Sequence, residues 1–244
     1  MSDRAAGRVA LVTGAGQRVG QAIALALGAE GFRVAVHYHA SADGARRTTA
    51  ALRELGAESA AFAADLAQPD VPDALVALVT THFGKLDLLV NSAAIMRRLS
   101  LDTVTPAEWD AIFAVNLRAP FFLSLAAARA MGAAGGAIVN IADHLAHESW
   151  PMLVPHGISK GAVESMTRQL AARLAPLVRV NAVVPGAVLA PEGWSSAAQQ
   201  QFIDATPLRR LGTPDDVAQA VIYLASAPYV TGEVLFVDGG RHLG

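Results

Sequence analysis

Residues Val9–Leu27 read VALVTGAGQRVGQAIALAL. A short apolar run passes into a turn with three glycines, and the turn opens directly into a helical pattern. Gly14, Gly16 and Gly20 stand where the backbone must turn tightly and approach a diphosphate, whose charge is favoured at a helix N-terminus. A glycine pattern by itself is weak evidence. Its place in the first strand–helix turn of a βαβ unit gives it weight.

The rest of the chain repeats the alternation. Strands are predicted over Val9–Thr13, Val34–Tyr38, Ala60–Ala64, Leu86–Asn91, Ala137–Ile141, Val178–Val184 and Val234–Asp238. Helical periodicity fills Gly20–Glu30, Ala45–Leu55, Val71–Phe83, Pro106–Met131, Ser159–Leu174 and Pro214–Ala225. Most strands are continuous apolar runs, as expected where both faces are covered. The pattern predicts one α/β domain of Rossmann type over residues 1–244, a doubly wound, seven-stranded parallel sheet with helices on both faces. Ligands of such sheets sit beyond the carboxyl ends of the strands.

Composition agrees with a packed enzyme-sized domain. Of 244 residues, 53% are hydrophobic and 16% charged, which argues against disorder. A net charge of −2 points to neither nucleic acid nor a membrane surface. The absence of cysteine excludes disulfides, thiolate nucleophiles and cysteine-ligated zinc. The polar start MSDRAAGR does not read as a signal peptide, and a cytoplasmic location is expected. The alanine-rich run from Ala119 to Ala137 is interrupted by Arg129 and glycines, and reads as a buried helix followed by a turn.

The end of the second strand bears on the choice of dinucleotide. An acidic residue there binds a ribose 2′-hydroxyl. This chain has Tyr38, His39, Ala40 and Ser41, and Asp43 falls in the following helix start. Arg18, His39 and Ser41 would gather around a 2′-phosphate, so the expected cofactor is NADPH. His37 and His39 read as surface groups on a strand. No third ligand accompanies them, and no metal site is expected.

The glycine turn, NSAA (Asn91–Ala94), VNLRAPFF (Val115–Phe122), HGISK (His156–Lys160), VRVNAVVPGAV (Val178–Val188) and YVTGEVLFVDGG (Tyr229–Gly240) occur in that order. Together, from about residue 8 onward, they resemble the short-chain dehydrogenase/reductase family. TGAGQRVG with Arg18 in the glycine turn, HYHASA at the second strand and the closing VDGGRHLG are most similar to its pteridine reductase branch. The resemblance implies a reductase acting on a C=N or C=O bond of a small cyclic, pteridine-like substrate. It further implies a homotetramer built on the long helices after strands four and five. The cofactor set it implies is Gly14, Gly16, Arg18, Val19, Gly20, Tyr38, His39, Ala40, Ser41, Asp65, Leu66, Asn91, Ser92, Ala93, Lys160, Pro185, Gly186 and Val188. Within that set, Asp65 corresponds to the adenine contact, Lys160 to the ribose contact and Pro185–Gly186 to the turn against the nicotinamide amide. Asn116 corresponds to the asparagine that holds a water in the proton relay. Residues 187–210 resemble a substrate lid, with Trp194, Met96, Arg18, Asp143 and His156 around the substrate.

Two departures stand out. Asp143 occupies the usual serine position, as in the pteridine reductase branch, thirteen residues before the position of the family's tyrosine. That tyrosine position is His156. His156 and Lys160 are four apart and share a helix face. Tyrosine, with a pKa of about 10, needs a nearby ammonium to become a useful acid, whereas histidine starts at about 6.5. Lys160 would disfavour an imidazolium and a close Asp143 carboxylate would stabilise it. A coupled Asp143–His156 acid pair is therefore expected, with reductase activity falling as pH rises through the histidine range. A loss-of-function change, leaving a non-catalytic NADPH sensor, is the alternative, and a carbonyl reductase of another pathway is a further one. Met96 stands where the pteridine branch stacks an aromatic ring on its substrate. His144, His147 and Glu148 read as loop residues near the substrate mouth rather than metal ligands.

Overall fold

The computed structural model describes residues 7–188 and 195–243. Seven strands form one sheet: β1 (Val9–Val12), β2 (Arg33–Tyr38), β3 (Ser59–Ala63), β4 (Leu88–Asn91), β5 (Gly136–Ile141), β6 (Val178–Pro185) and β7 (Val234–Val237). All neighbours pair in parallel, in the order β3-β2-β1-β4-β5-β6-β7. The order reverses between β1 and β4, which opens a crevice at their carboxyl ends. The register sets Leu11 beside Ala35 and Leu89.

The continuous apolar strands are explained by two cores. Side chains alternate across a strand, so Ala10 and Val12 enter one core with Ile23, Leu27, Val221 and Leu224. Val9 and Leu11 enter the other with Leu75, Val79, Leu123 and Ile138. Each fully buried Leu, Ile or Val contributes about 1.5–3 kcal/mol through removal from water.

The helices are α1 (Arg18–Ala29), α2 (Ala42–Glu54), α3 (Val71–Phe83), α4 (Pro106–Phe113), α5 (Ala119–Met131), α6 (Val154–Leu174), α7 (Ser196–Asp204) and α8 (Pro214–Ser226). Reciprocal caps start α4 (Thr105 with Glu108) and α8 (Thr213 with Asp216). Asp43 lies in the first turn of α2, as expected.

Three differences from the expected elements matter for the site. The helix expected over Pro106–Met131 is interrupted by a wide π-turn at Ala114–Arg118, after which the Ala119 N–H bonds back to Ala114 O. The whole run Pro106–Ala134 is long and apolar enough by composition to cross a membrane, yet half of its most apolar window is buried within the fold. Helix α6 starts five residues before the expected Ser159, because Pro155 sits in its first turn, where a missing N–H costs nothing. His156 and Lys160 thus occupy its opening turns. Part of the expected lid is helix α7, capped by Ser195, whose hydroxyl accepts from Ala198 N–H. Trp194 lies outside the described residues.

Candidate active site

A cavity of about 1080 Å³ opens at the carboxyl ends of the strands. Its floor is the glycine turn. Gly14 has φ 67°, a conformation that excludes most side chains, and a Cβ on Gly20 would lie 2.4 Å from Gly14 O. Gly44, which the sequence reading passed over, lets α2 approach just as closely: a Cβ there would stand 2.1 Å from Gly16 O. Val19 lines the same end. Arg18 is exposed and adopts φ 54° without being glycine. Tyr38, His39, Ala40 and Ser41 line the wall at the end of β2, with no carboxylate among them.

His37 corrects an expectation. It is buried at 1% exposure, not a surface group. Its Nδ1 accepts the Gly14 N–H at 3.1 Å, and its Nε2 lies 3.1 Å from Ala64 O. A neutral ring protonated on Nε2 serves both contacts. A parallel strand covered on both faces leaves no solvent side for an interior residue, and that signal was available in the sequence. Burial pulls the His37 pKa down to about 4. The unfolded chain therefore binds the extra proton first as pH falls. Stability is expected to decline between about pH 6.5 and pH 4, by at most about 3 kcal/mol. Urea denaturation of His37→Phe should show lower stability at neutral pH, by about 1–3 kcal/mol for the orphaned Gly14 N–H, and a flatter profile over that window.

Asp65 and Leu66 face the cavity after β3. The Asp65 carboxylate accepts from Gln68 Nε2 (3.1 Å) and Ala67 N–H (3.0 Å), which cap the local turn and hold its pKa low. Ser92 and Ala93 line the next edge. Thr13, another residue that pattern reading missed, fixes them by accepting both backbone N–H groups at 2.9 and 3.0 Å.

Asn91 does not turn its side chain to the cavity. It donates to Asn140 Oδ1 (2.8 Å) and Ser124 Oγ (3.2 Å), and Asn140 in turn donates to Thr167 Oγ1 (2.9 Å). This buried amide ladder clamps β4 to β5 and β5 to α6. Asn91 itself is buried and does not line the cavity, unlike the neighbouring Ser92 and Ala93. Asn116 is also buried rather than cavity-lining. From the π-turn it grips the loop after β4 at both ends of Ile95, accepting from the N–H at 2.9 Å and donating to the carbonyl at 3.0 Å. It donates to Ser159 Oγ at 3.1 Å as well.

Asp143, His156 and Lys160 meet at the inner end of the cavity. His156 Nε2 is 3.2 Å from Asp143 Oδ2. His156 Nδ1 sits between an acceptor, Ile95 O at 3.3 Å, and a donor, Asn116 Nδ2 at 3.4 Å. Burial opposes charge on Asp143, but the close His144 imidazole and the His156 hydrogen bond outweigh it and hold the carboxyl well below the usual range. Lys160 donates to Ile141 O at 2.7 Å. Its burial lowers its pKa to about 8, partly countered by the Asp143 charge. Pro185, Gly186 and Val188 close the wall beside β6, where a Cβ on Gly186 would press within 2.8 Å of Asp238 Cα. Met96 stands at the mouth and is 54% exposed.

Comparison with known proteins decides the family. A family model described as enoyl-(acyl carrier protein) reductase matches residues 14–242. Versicolorin reductase 1 of Aspergillus parasiticus is 36% identical, covering 98% of this chain and 99% of its own. The 3-oxoacyl-(acyl carrier protein) reductase of Staphylococcus aureus is 34% identical over 96% and 98%. The structure of a mutant short-chain dehydrogenase/reductase of Serratia marcescens superposes with a TM-score of 0.91, at 33% identity, covering 97% and 98% of the two chains.

The chain is a short-chain dehydrogenase/reductase.

It belongs to an oxidoreductase family that works with a nicotinamide dinucleotide. Two features of this short-chain dehydrogenase/reductase fit such a cofactor: a glycine floor that any Cβ would block, and a cavity that runs on from it to Lys160.

Proposed function

We propose that this protein uses NADPH to reduce the carbonyl group of a small cyclic ketone, with His156 as the proton donor in place of the family's tyrosine. The observation that carries the reading is the 3.2 Å contact between His156 Nε2 and Asp143 Oδ2 at the inner end of the cofactor-sized cavity. When bound, NADPH supplies the hydride. The glycine turn would hold its diphosphate, Lys160 its ribose, and Ser92, Ala93, Pro185, Gly186 and Val188 its nicotinamide end. Asp65 and Leu66 would flank the adenine.

The residues of the chain handle the proton. Asp143 Oδ2 accepts from Nε2–H and fixes the imidazole beside the cavity, so that a substrate oxygen reaching that edge would share this proton. A ring protonated on both nitrogens donates to Asp143 and to Ile95 O. Once Nε2 has passed its proton to the substrate oxygen, the neutral ring keeps its Nδ1 proton on Ile95 O at 3.3 Å. Little reorganisation is then needed at the moment of transfer.

Relatives named for the reduction of versicolorin and of 3-oxoacyl chains support a carbonyl as the reducible bond. A pteridine C=N bond is the second reading. Arg18 and Asp143, both on the cavity wall, favour it, while Met96 offers a flat ring less oriented contact than an aromatic face. NADPH consumption should be measured against cyclic ketones, 3-oxoacyl thioesters and dihydropteridines at several pH values. Tight NADPH binding without consumption across the panel would point instead to a sensor.

The preference for NADPH rests on Arg18, His39 and Ser41 and on the missing carboxylate at the end of β2. Arg18→Gly should lower the NADPH-over-NADH preference at least tenfold. The same change removes a left-handed non-glycine residue and should raise stability by about 1 kcal/mol. Dissociation constants for both dinucleotides, together with urea midpoints, check the two effects separately. A cytoplasmic, homotetrameric enzyme remains the proposed context. Phe121 and Phe122, exposed on an apolar groove between α5 and α6, support packing of a second copy there.

A further inference from the structure

We propose that His144 is a positioning residue for the proton-delivery pair. This rests on the reading of His156 as the donor. The Asp143 carboxylate lies between two imidazoles: His156 Nε2 is 3.2 Å from Oδ2, and His144 Nδ1 is 3.1 Å from Oδ1. The two histidines come from different elements, the loop after β5 and the first turn of α6, so Asp143 is gripped from two sides. His144 stands off the hydrogen-bond axis of Oδ1, which the Leu145 N–H occupies at 3.0 Å. Both of its ring nitrogens are shut away from solvent and have no other hydrogen-bond partner among the described residues. A buried polar ring in that state is costly unless its charge or dipole is used. The group it faces is Asp143, and the attraction holds Oδ2 toward His156.

The surroundings of His144 tie it to the lid. Its ring packs edge-on against Trp150 (6.2 Å) and Phe202 of α7 (6.1 Å). Glu148 Oε2 is 3.9 Å from its Nε2. Glu148 is held in turn by Arg241 through two contacts of 2.7 and 2.8 Å, and the Arg241 guanidinium lies 3.9 Å over the Phe202 ring. The charged and titratable groups around His144 are therefore Asp143 and Glu148 directly, His156 and Lys160 across Asp143, and Arg241 behind Glu148. Through this hub the loop after β5, helix α7 and the C-terminal segment set where the Asp143 carboxylate points.

The test uses full-length protein with NADPH and the best carbonyl substrate found. His144→Phe keeps the ring packing and removes the nitrogens, and is expected to lower kcat about tenfold to a hundredfold through misplacement of the pair. The Kd for NADPH should stay within twofold, and the pH profile of kcat should shift. His144→Asn, whose amide nitrogen replaces Nδ1, should recover most of kcat. The inference is overturned if His144→Phe matches wild type while His156→Phe is inactive. It is equally overturned if both His144 variants lose kcat alike or lose NADPH binding with it, since that marks a purely structural role. Unchanged turnover in His156→Phe would instead remove the donor assignment, and this inference with it.

Discussion

His156→Phe lowers kcat/KM for the carbonyl substrate by about a hundredfold to ten-thousandfold, the span expected when a general acid is removed. Phenylalanine fills nearly the same space, so the fold is retained. The imidazole is 2% exposed and lies among Asp143, Asn116 and Ile95 O, and a phenyl ring there offers no proton. NADPH binding should be little changed, because the glycine floor and Lys160 are untouched. Asp143→Asn should reduce activity less, since an amide still orients the ring but loses the charge. His156→Tyr should also lose activity. The Asp143 carboxylate, 3.2 Å from the imidazole that the phenol would replace, opposes the negative charge a phenol must develop as it gives up its proton. Steady-state kinetics with a separate NADPH titration decide the matter. A His156→Phe protein within threefold of wild type, or a His156→Tyr protein much faster than it, defeats the assignment.

Lys160→Met trades activity for stability. Lys160 is 4% exposed, and burial lowers its pKa from 10.5 to about 8. The folded chain releases this proton first, so between about pH 8 and pH 10.5 the unfolded chain binds more protons and stability rises with pH. Below pH 8 the buried cation carries its full cost, at most about 3 kcal/mol. Methionine removes that cost and leaves the buried Ile141 O without its donor, at about 1–3 kcal/mol. The net expectation at neutral pH is a gain of at most about 2 kcal/mol, read as a higher urea midpoint. NADPH affinity and turnover should both collapse, because the proposed ribose contact loses its cation. In the wild type the same proton shapes kinetics. kcat/KM reports the free enzyme, so it should fall as pH rises through about 8. A profile level to pH 9.5, or a less stable Lys160→Met, contradicts this account.

Much of the architecture was legible because it depends on period and order. All seven strands were readable from apolar runs, and their parallel pairing from the intervening helices. The glycine turn and the spacing of Asp143, His156 and Lys160 are local, and the structure brings those three side chains together. What could not be read depends on distant partners or on direction. Asn91 turns inward because Asn140, forty-nine residues away, offers an oxygen there. Thr13 is a plain strand end until Ser92 and Ala93 arrive above it. The closeness of Gly44 to Gly16 requires the angle between α2 and the glycine turn. His37 is different: its burial followed from the two-sided sheet, and the strand-surface reading overlooked it.

The π-turn at Ala114–Arg118 has a consequence for how this protein tolerates length changes. An α-helix advances about 100° per residue. The wide turn absorbs one residue beyond a regular spiral, so α4 and α5 run on different angular phases. Deleting a single position there would restore one continuous spiral and rotate everything on one side by about a quarter of a circle. Asn116 would swing off Ile95, and Phe121 and Phe122 would exchange faces with their neighbours. The irregularity thus acts as a phase-shifter, letting a single helical rod serve the reaction chamber at its middle and a different surface further along.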